Sequence, residues 1–252
     1  MANTGHLSHL EVGDFLIPLT ARGRKQARQA GTRVGPAFID DCLIFCSPYR
    51  RAQQTLEEIL RGGGVQEDYL QQGAGAQDDV DDLDSSNDEE DGSSSEEDEE
   101  RAGDNPPRPY RIREDPRLRE VDHGYEDLQA QEAKRERHGW FYYRFNGGES
   151  PADCYDRTSI FMESLIRQVE RKAERENKPV KVLIVSHGLT IRCFVMRYLH
   201  LKVADFDTIA NPHNCDVITL GLKDDLTKEF GKDSWLFSTG RWAVHGLKKR
   251  DD

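Results

Sequence analysis

Short apolar runs alternate with longer amphipathic stretches along this chain of 252 residues. The run from Phe38 to Cys46 stops at Ser47-Pro48 and predicts a buried strand, because a continuous apolar segment closed by a turn signal is covered on both faces. Val180-Lys181-Val182-Leu183-Ile184-Val185, stopped by Ser186-His187-Gly188, predicts a second and clearer buried strand. Val217 to Leu220 and Trp235 to Phe237 predict two more. Helical patterns lie between. Arg22 to Val34 has Thr20 placed to cap its start and Gly31 near its expected end. Arg50 to Arg61 is closed by Gly62-Gly63-Gly64. In Pro151 to Lys172, Ile160, Phe161, Leu165, Ile166 and Val169 recur at helical spacing among Arg and Glu. Leu189 to Leu199 predicts the next helix. Strands alternating with helices indicate an α/β fold with a largely parallel sheet, and no internal repeat is seen.

One segment breaks the alternation. From Gly73 to Pro109 the chain is dominated by Gly, Ser, Asp and Glu, then Pro106, Pro107 and Pro109. Such a stretch buries too little apolar surface to offset its ordering entropy. It is expected to be a disordered acidic insertion, at about 73–107, in a single domain spanning 1–252. Ser93, Ser94 and Ser95 each have an acid three positions on, a pattern that suits an acid-directed kinase; a merely solvated linker is the plainer reading. The net charge is −12, yet Asp78 to Asp104 alone carries −14, so the remainder is slightly basic at +2. A slightly basic body suits an anionic ligand and equally suits an ordinary mixed surface. The acidic segment would recruit a basic protein partner; a nucleic-acid partner is not expected.

The 5 cysteines show no C-x-x-C pair, which argues against a disulfide framework and a zinc site. No run is long and apolar enough for a membrane span or signal core. The expectation is a cytoplasmic protein needing no metal or cofactor, unless a targeting segment precedes the sequence.

Three stretches carry candidate chemistry. In Val182 to Thr190, a buried strand delivers His187 to its C-terminal end, and Gly188 opens a helix whose free N–H groups suit phosphate. His187 reads either as a phosphate contact or as a residue satisfying the turn. Ser47-Pro48-Tyr49-Arg50-Arg51-Ala52-Gln53-Gln54-Thr55 repeats the strand, turn and helix design with arginines first, and a guanidinium there can grip phosphate or simply pair with a carboxylate. In Leu118-Arg119-Glu120-Val121-Asp122-His123-Gly124, Glu120 has the chemistry of a general acid, although alone it is one of 47 acidic residues.

Taken in order, with Leu19 to Ala27 before them and Gly147-Gly148-Glu149-Ser150 between the last two, these stretches resemble the histidine phosphatase (phosphoglycerate-mutase-like) superfamily. The resemblance runs from about Asn3 to Leu220 apart from the acidic segment. Gly139 to Ser150 is similar to a less-studied eukaryotic and fungal branch. It implies a three-layer α/β/α fold and phosphomonoester hydrolysis through a phosphohistidine, on a phosphorylated small molecule or a phosphoprotein. It implies that Arg51 binds the phosphoryl group, Glu120 donates the proton and His187 stabilises the phosphoryl oxygens. Gly188 matches a backbone phosphate contact, and Asn214 is a candidate pocket residue.

The pattern departs from the family at its start. The family opens with a strand ending in R-H-G-[ED]-[ST]-x-x-N, and Asn3 matches its last residue. The first strand, its arginine and the nucleophilic histidine are therefore expected upstream of Met1. His6, preceded by Gly5 and not Arg, is a poor substitute, as are His9 and His123. Without the nucleophile, covalent catalysis is not expected. An N-terminally truncated sequence is favoured over a pseudophosphatase that only binds a phosphorylated ligand.

Overall fold

The computed structural model describes residues 13–66, 110–124, 128–232 and 234–250. Asn3, His6, His9 and the acidic segment lie outside the described residues.

A parallel sheet of order β2-β1-β3 forms the centre, from β1 (Cys42–Cys46), β2 (Ile112–Glu114) and β3 (Lys181–Val185). β3 runs in register with β1 from Cys42 opposite Lys181 to Cys46 opposite Val185. The alternation of side chains along β1 builds the layers. Ile44 and Cys46 pack with Ala27, Ala30, Leu56 and Leu60 of α1 (Ala21–Val34) and α3 (Arg50–Gly62). Leu43 and Phe45 face the other way, onto Phe161 and Leu165 of α5 (Pro151–Glu176) and Phe194 of α6 (Gly188–Tyr198). The result is the expected helix, sheet and helix sandwich. α5 starts on a capping box in which Ser150 and Asp153 satisfy each other's backbone N–H.

Several expectations are corrected. Phe38 and Ile39 belong to the short helix α2 (Pro36–Ile39), because Gly35 turns the chain at φ +80° and Pro36 supplies a first helical residue. α1 ends at Val34, where its pattern ends, with Gly35 as its C-cap. Gly31, three residues before that end, marks a close helix crossing: a Cβ there would lie 2.0 Å from the Ile59 carbonyl oxygen, and one on Gly62 would lie 2.0 Å from that of Arg28. Glu58, buried at the same crossing, binds Arg28 and Arg61. β3 is less buried than its composition suggests, with Val182, Leu183 and Ile184 half-buried, because among the described residues it pairs along one edge only.

The sequence pattern also missed α4 (Leu128–His138) and the antiparallel character of the C-terminal part. After α7 (Val203–Thr208) come β4 (Thr219–Leu222), α8 (Lys223–Phe230), β5 (Trp235–Thr239) and β6 (Trp242–His245), with sheet order β4-β6-β5. Val244 and Leu247 pack there on Val195 of α6 and on Leu199, the residue that follows it.

Candidate active site

Adjacent parallel strands end side by side, so the turn after β1 meets the turn after β3. Ser47 is buried directly after β1, and its Oγ lies 2.8 Å from Nε2 of His187, the residue that precedes α6. The Tyr49 ring meets the His187 ring edge-on at 5.1 Å, and the Arg51 guanidinium sits 4.8 Å from the centre of the Tyr49 ring.

A third segment reaches the same corner from β2. Asp115 caps a short 3₁₀ turn, Pro116–Leu118, by accepting from the Arg117 N–H at 2.9 Å. The next residues are tied to the β3–α6 turn: Ser186 Oγ donates to the Leu118 carbonyl at 2.8 Å and Thr190 Oγ1 to the Arg119 carbonyl at 2.7 Å. Glu120 is thereby set against the first turn of α6, where its Oε1 accepts from the Val121 N–H at 3.0 Å and the Thr190 N–H at 3.4 Å.

The electrostatics of the corner come from burial among cations. His187 is held well below the usual 6.5, first by burial and then by the charges of Arg51 and Arg157, so its imidazole is neutral at neutral pH. Burial pushes the Glu120 carboxyl above 4.5, against the opposing pull of the Val121 N–H and the Arg51 charge. Glu120 keeps some exposed surface as a residue, but dense packing around the carboxyl itself sets the direction. A carboxyl biased toward its protonated form beside a cation has the chemistry of a proton donor.

The guanidinium of Arg51 is already engaged. Its Nη1 donates to the Asp14 Oδ1 at 2.9 Å and to the Asp14 carbonyl at 2.7 Å, and its Nη2 to Oδ2 at 3.0 Å. Behind the corner, buried Arg157 donates to both oxygens of Glu149, at 3.3 and 3.2 Å, and to the Arg117 carbonyl at 2.6 Å. Glu149 also binds Arg119. Gly188 is not required for the turn: its φ is not in the left-handed region, and a Cβ there would meet only the Asn211 side chain, at 3.7 Å.

Arg51, Glu120 and His187 thus converge, as their motifs suggested. Asn214 is exposed in the turn before β4, whereas Asn211 is the asparagine that faces Gly188. Sequence reasoning gave no role to Ser47, Tyr49, Glu149 or Arg157. The leading Ser of S-P-Y-R-R and the Glu of G-G-E-S were the available signals.

Comparison with known proteins matches residues 12–72 and 100–229 to the histidine phosphatase superfamily, branch 1. The chain belongs to this superfamily. Arg51, Glu120 and His187 all fall within the matched residues. The chain is 32% identical over 232 residues to the phosphoglycerate mutase-like protein AT74H of Arabidopsis thaliana, covering 85% of this chain and 68% of that protein. It is 29% identical over 273 residues to the broad-range acid phosphatase DET1 of Saccharomyces cerevisiae, covering 86% and 80%. Among solved structures, a mycobacterial glucosyl-3-phosphoglycerate phosphatase in complex with inorganic phosphate shares the fold, with a TM-score of 0.55 at 18% identity over 99% of this chain and 92% of that one. Mycobacterial hydrolase 2 has a TM-score of 0.57 at 18% identity over 95% and 84%.

Among the described residues no helix is long and apolar enough to cross a membrane, and no group of His, Cys, Asp and Glu is arranged to hold a metal ion.

Proposed function

We propose that this corner binds the phosphoryl group of a phosphomonoester and supports its hydrolysis. The observation that carries the reading is the meeting of the Arg51 guanidinium, a neutral His187 and a Glu120 carboxyl biased toward protonation. Arg51 holds the non-bridging oxygens, with donors beyond those given to Asp14. His187 donates to a phosphoryl oxygen and stabilises charge as the ester P–O bond breaks. Glu120 gives its proton to the alkoxide oxygen as the ester P–O bond breaks, the oxygen of water forms the new bond to phosphorus, and the proton that water loses returns to the ionised Glu120 carboxylate. Room for a side chain at Gly188 that the fold does not use supports a close backbone contact with the phosphate. Asn214 and Asn3 complete the proposed set.

The related acid phosphatase supports hydrolysis rather than transfer between positions of one molecule. The substrate is a phosphorylated small molecule or a phosphoprotein, and the acidic segment is proposed as a docking element for a basic protein. The family's nucleophile is a histidine, which the described corner does not assign. A second reading is a module that binds phosphate at this corner without turnover.

The test is calorimetry with inorganic phosphate, together with hydrolysis of a generic aryl phosphate. Binding with hydrolysis, both lost in Arg51→Ala and His187→Ala, is expected. Binding alone selects the second reading, and absence of binding removes both.

A further inference from the structure

Thr190 lies in the first turn of α6, three residues after His187, and is 1% exposed. Its hydroxyl has a single hydrogen to give. The Arg119 carbonyl lies 2.7 Å from Thr190 Oγ1, Glu120 Oε1 lies 3.3 Å from it and Cys154 Sγ lies 3.7 Å from it. The buried Cys154 thiol donates, so it occupies a lone pair of Oγ1 and does not compete for the proton. Two acceptors therefore face one O–H. While Glu120 is protonated, the nearer acceptor, the Arg119 carbonyl, takes it. An ionised carboxylate oxygen is the stronger acceptor, because charge-assisted hydrogen bonds are shorter and about twice as strong as neutral ones. Thr190 already reaches the same Oε1 with its backbone N–H, at 3.4 Å. Of the titratable groups around Glu120, Arg51 on α3 favours the ionised form, His187 is neutral, and burial holds the Cys193 thiol of α6 protonated, well above 9.0. The Thr190 hydroxyl differs from these in that it can change partner by turning about its C–O bond, with no heavy atom displaced.

We propose that Thr190 is a positioning residue for proton donation: its O–H turns from the Arg119 carbonyl to Glu120 Oε1 as the carboxyl ionises, and so stabilises the carboxylate that the reaction forms. The proposal rests on the reading of Glu120 as the proton donor. In that step the Glu120 O–H bond breaks, its proton and the electron pair of the ester P–O bond both go to the ester oxygen, and the O–H bond of Thr190 stays intact. The hydroxyl turns back when water returns a proton to Glu120. Its contribution is thus largest in the transition state, where negative charge is developing on the carboxyl.

The test compares Thr190→Val, which keeps the shape and removes the O–H, with Thr190→Ser, which keeps the O–H, in the full chain. The Glu120 titration, followed by carbon-13 NMR of its carboxyl, is expected to rise by about one pH unit in Thr190→Val, because the ionised form loses a donor, and to stay at the parent value in Thr190→Ser. Hydrolysis of an alkyl monophosphate, whose alkoxide needs the proton, is expected to lose about tenfold in kcat in Thr190→Val with KM little changed; an aryl phosphate, whose phenolate leaves more readily, is expected to lose less than about threefold. Thr190→Ala serves if Thr190→Val does not fold. A Glu120 titration unmoved or lowered in Thr190→Val, or raised equally in Thr190→Ser, overturns the role of Thr190 and leaves the phosphate corner intact. A parent chain that hydrolyses neither ester removes the proposed function instead, and the catalytic part of the inference with it; the titrations then still decide whether the hydroxyl follows the carboxyl.

Discussion

The Ser47 hydroxyl and the His187 imidazole meet at 2.8 Å where two neighbouring parallel strands end. Ser47 is buried and its Oγ accepts from the Tyr49 N–H at 3.3 Å, so the ring meets a partner that is itself fixed. The pH at which that imidazole takes up its proton is set by its burial and by the charges around it. Arg51→Met removes one of the two cations acting on it, and the His187 titration monitored by NMR is expected to move upward. Saturation with inorganic phosphate is expected to move it the same way, because a bound anion favours the imidazolium. A histidine depressed in the folded state contributes stability that is present above 6.5 and lost as pH falls through its folded value. A titration left unmoved by Arg51→Met would place that arginine too far away to act on phosphate beside His187.

Asp14 pairs with Arg51 through both carboxylate oxygens although its side chain is 42% exposed. A phosphate arriving at Arg51 must share or displace that carboxylate. Partly exposed pairs of this kind are worth up to ~1 kcal/mol, which corresponds to about fivefold in affinity. Asp14→Asn is therefore expected to bind inorganic phosphate up to about fivefold more tightly by calorimetry. Weaker binding would mean that Asp14 orients Arg51 and does not compete for it.

Glu120 is raised by burial, and a raised acid contributes stability that is full below 4.5 and lost as pH rises through its folded value. At a pH of about 7.5 the ionised carboxyl is thus a burden on the fold. Glu120→Gln is expected to melt higher than the parent near neutral pH and to lose that advantage in acid, while hydrolysis falls because no proton can be delivered. Equal melting temperatures at both pH values would show that Glu120 is ordinarily solvated.

The α1–α3 crossing offers a test of packing alone. With the Ile59 carbonyl 2.0 Å from any Cβ on Gly31, the backbones must part to admit a methyl group. Gly31→Ala is expected to cost at least about 2 kcal/mol, read as a lower urea midpoint with an unchanged slope.

How much of this was legible depends on how local each signal was. The segments around Arg51 and His187 each carry a strand, a stop and a helix in consecutive residues, so their placement at one sheet edge could be read from the chain. Phe38 and Ile39 were misread because apolar runs do not distinguish strand from helix, and Pro36 decided between them. The close crossing at Gly31 was not legible, because its constraint, a carbonyl on α3, is far away in sequence. Ser47 and Arg157 escaped for the same reason: their roles come from His187 and Glu149, which only the folded chain brings near. The antiparallel pairing of β4, β5 and β6 left no mark in three runs too short to carry a period.

Glu149 joins the G-G-E-S segment to both Arg119 and Arg157, and its side chain is 14% exposed. Removing its charge leaves Arg157, whose side chain is 9% exposed, with the Arg117 carbonyl as its remaining partner. A buried cation deprived of its carboxylate is destabilising by about 3 kcal/mol or more. Glu149→Gln is expected to show a loss of that order in urea unfolding. Arg157→Met should cost less when added to Glu149→Gln than when made alone, because the uncompensated charge goes with it. The same substitution reaches the active corner. Arg157 already lowers the His187 titration, and without Glu149 its charge acts unopposed, so the imidazole is expected to titrate lower still in Glu149→Gln and higher in Arg157→Met. Opposite movements in the two variants identify an electrostatic link between the helix of Arg157 and the histidine; movement in the same direction would mean that both merely disturb the packing behind it.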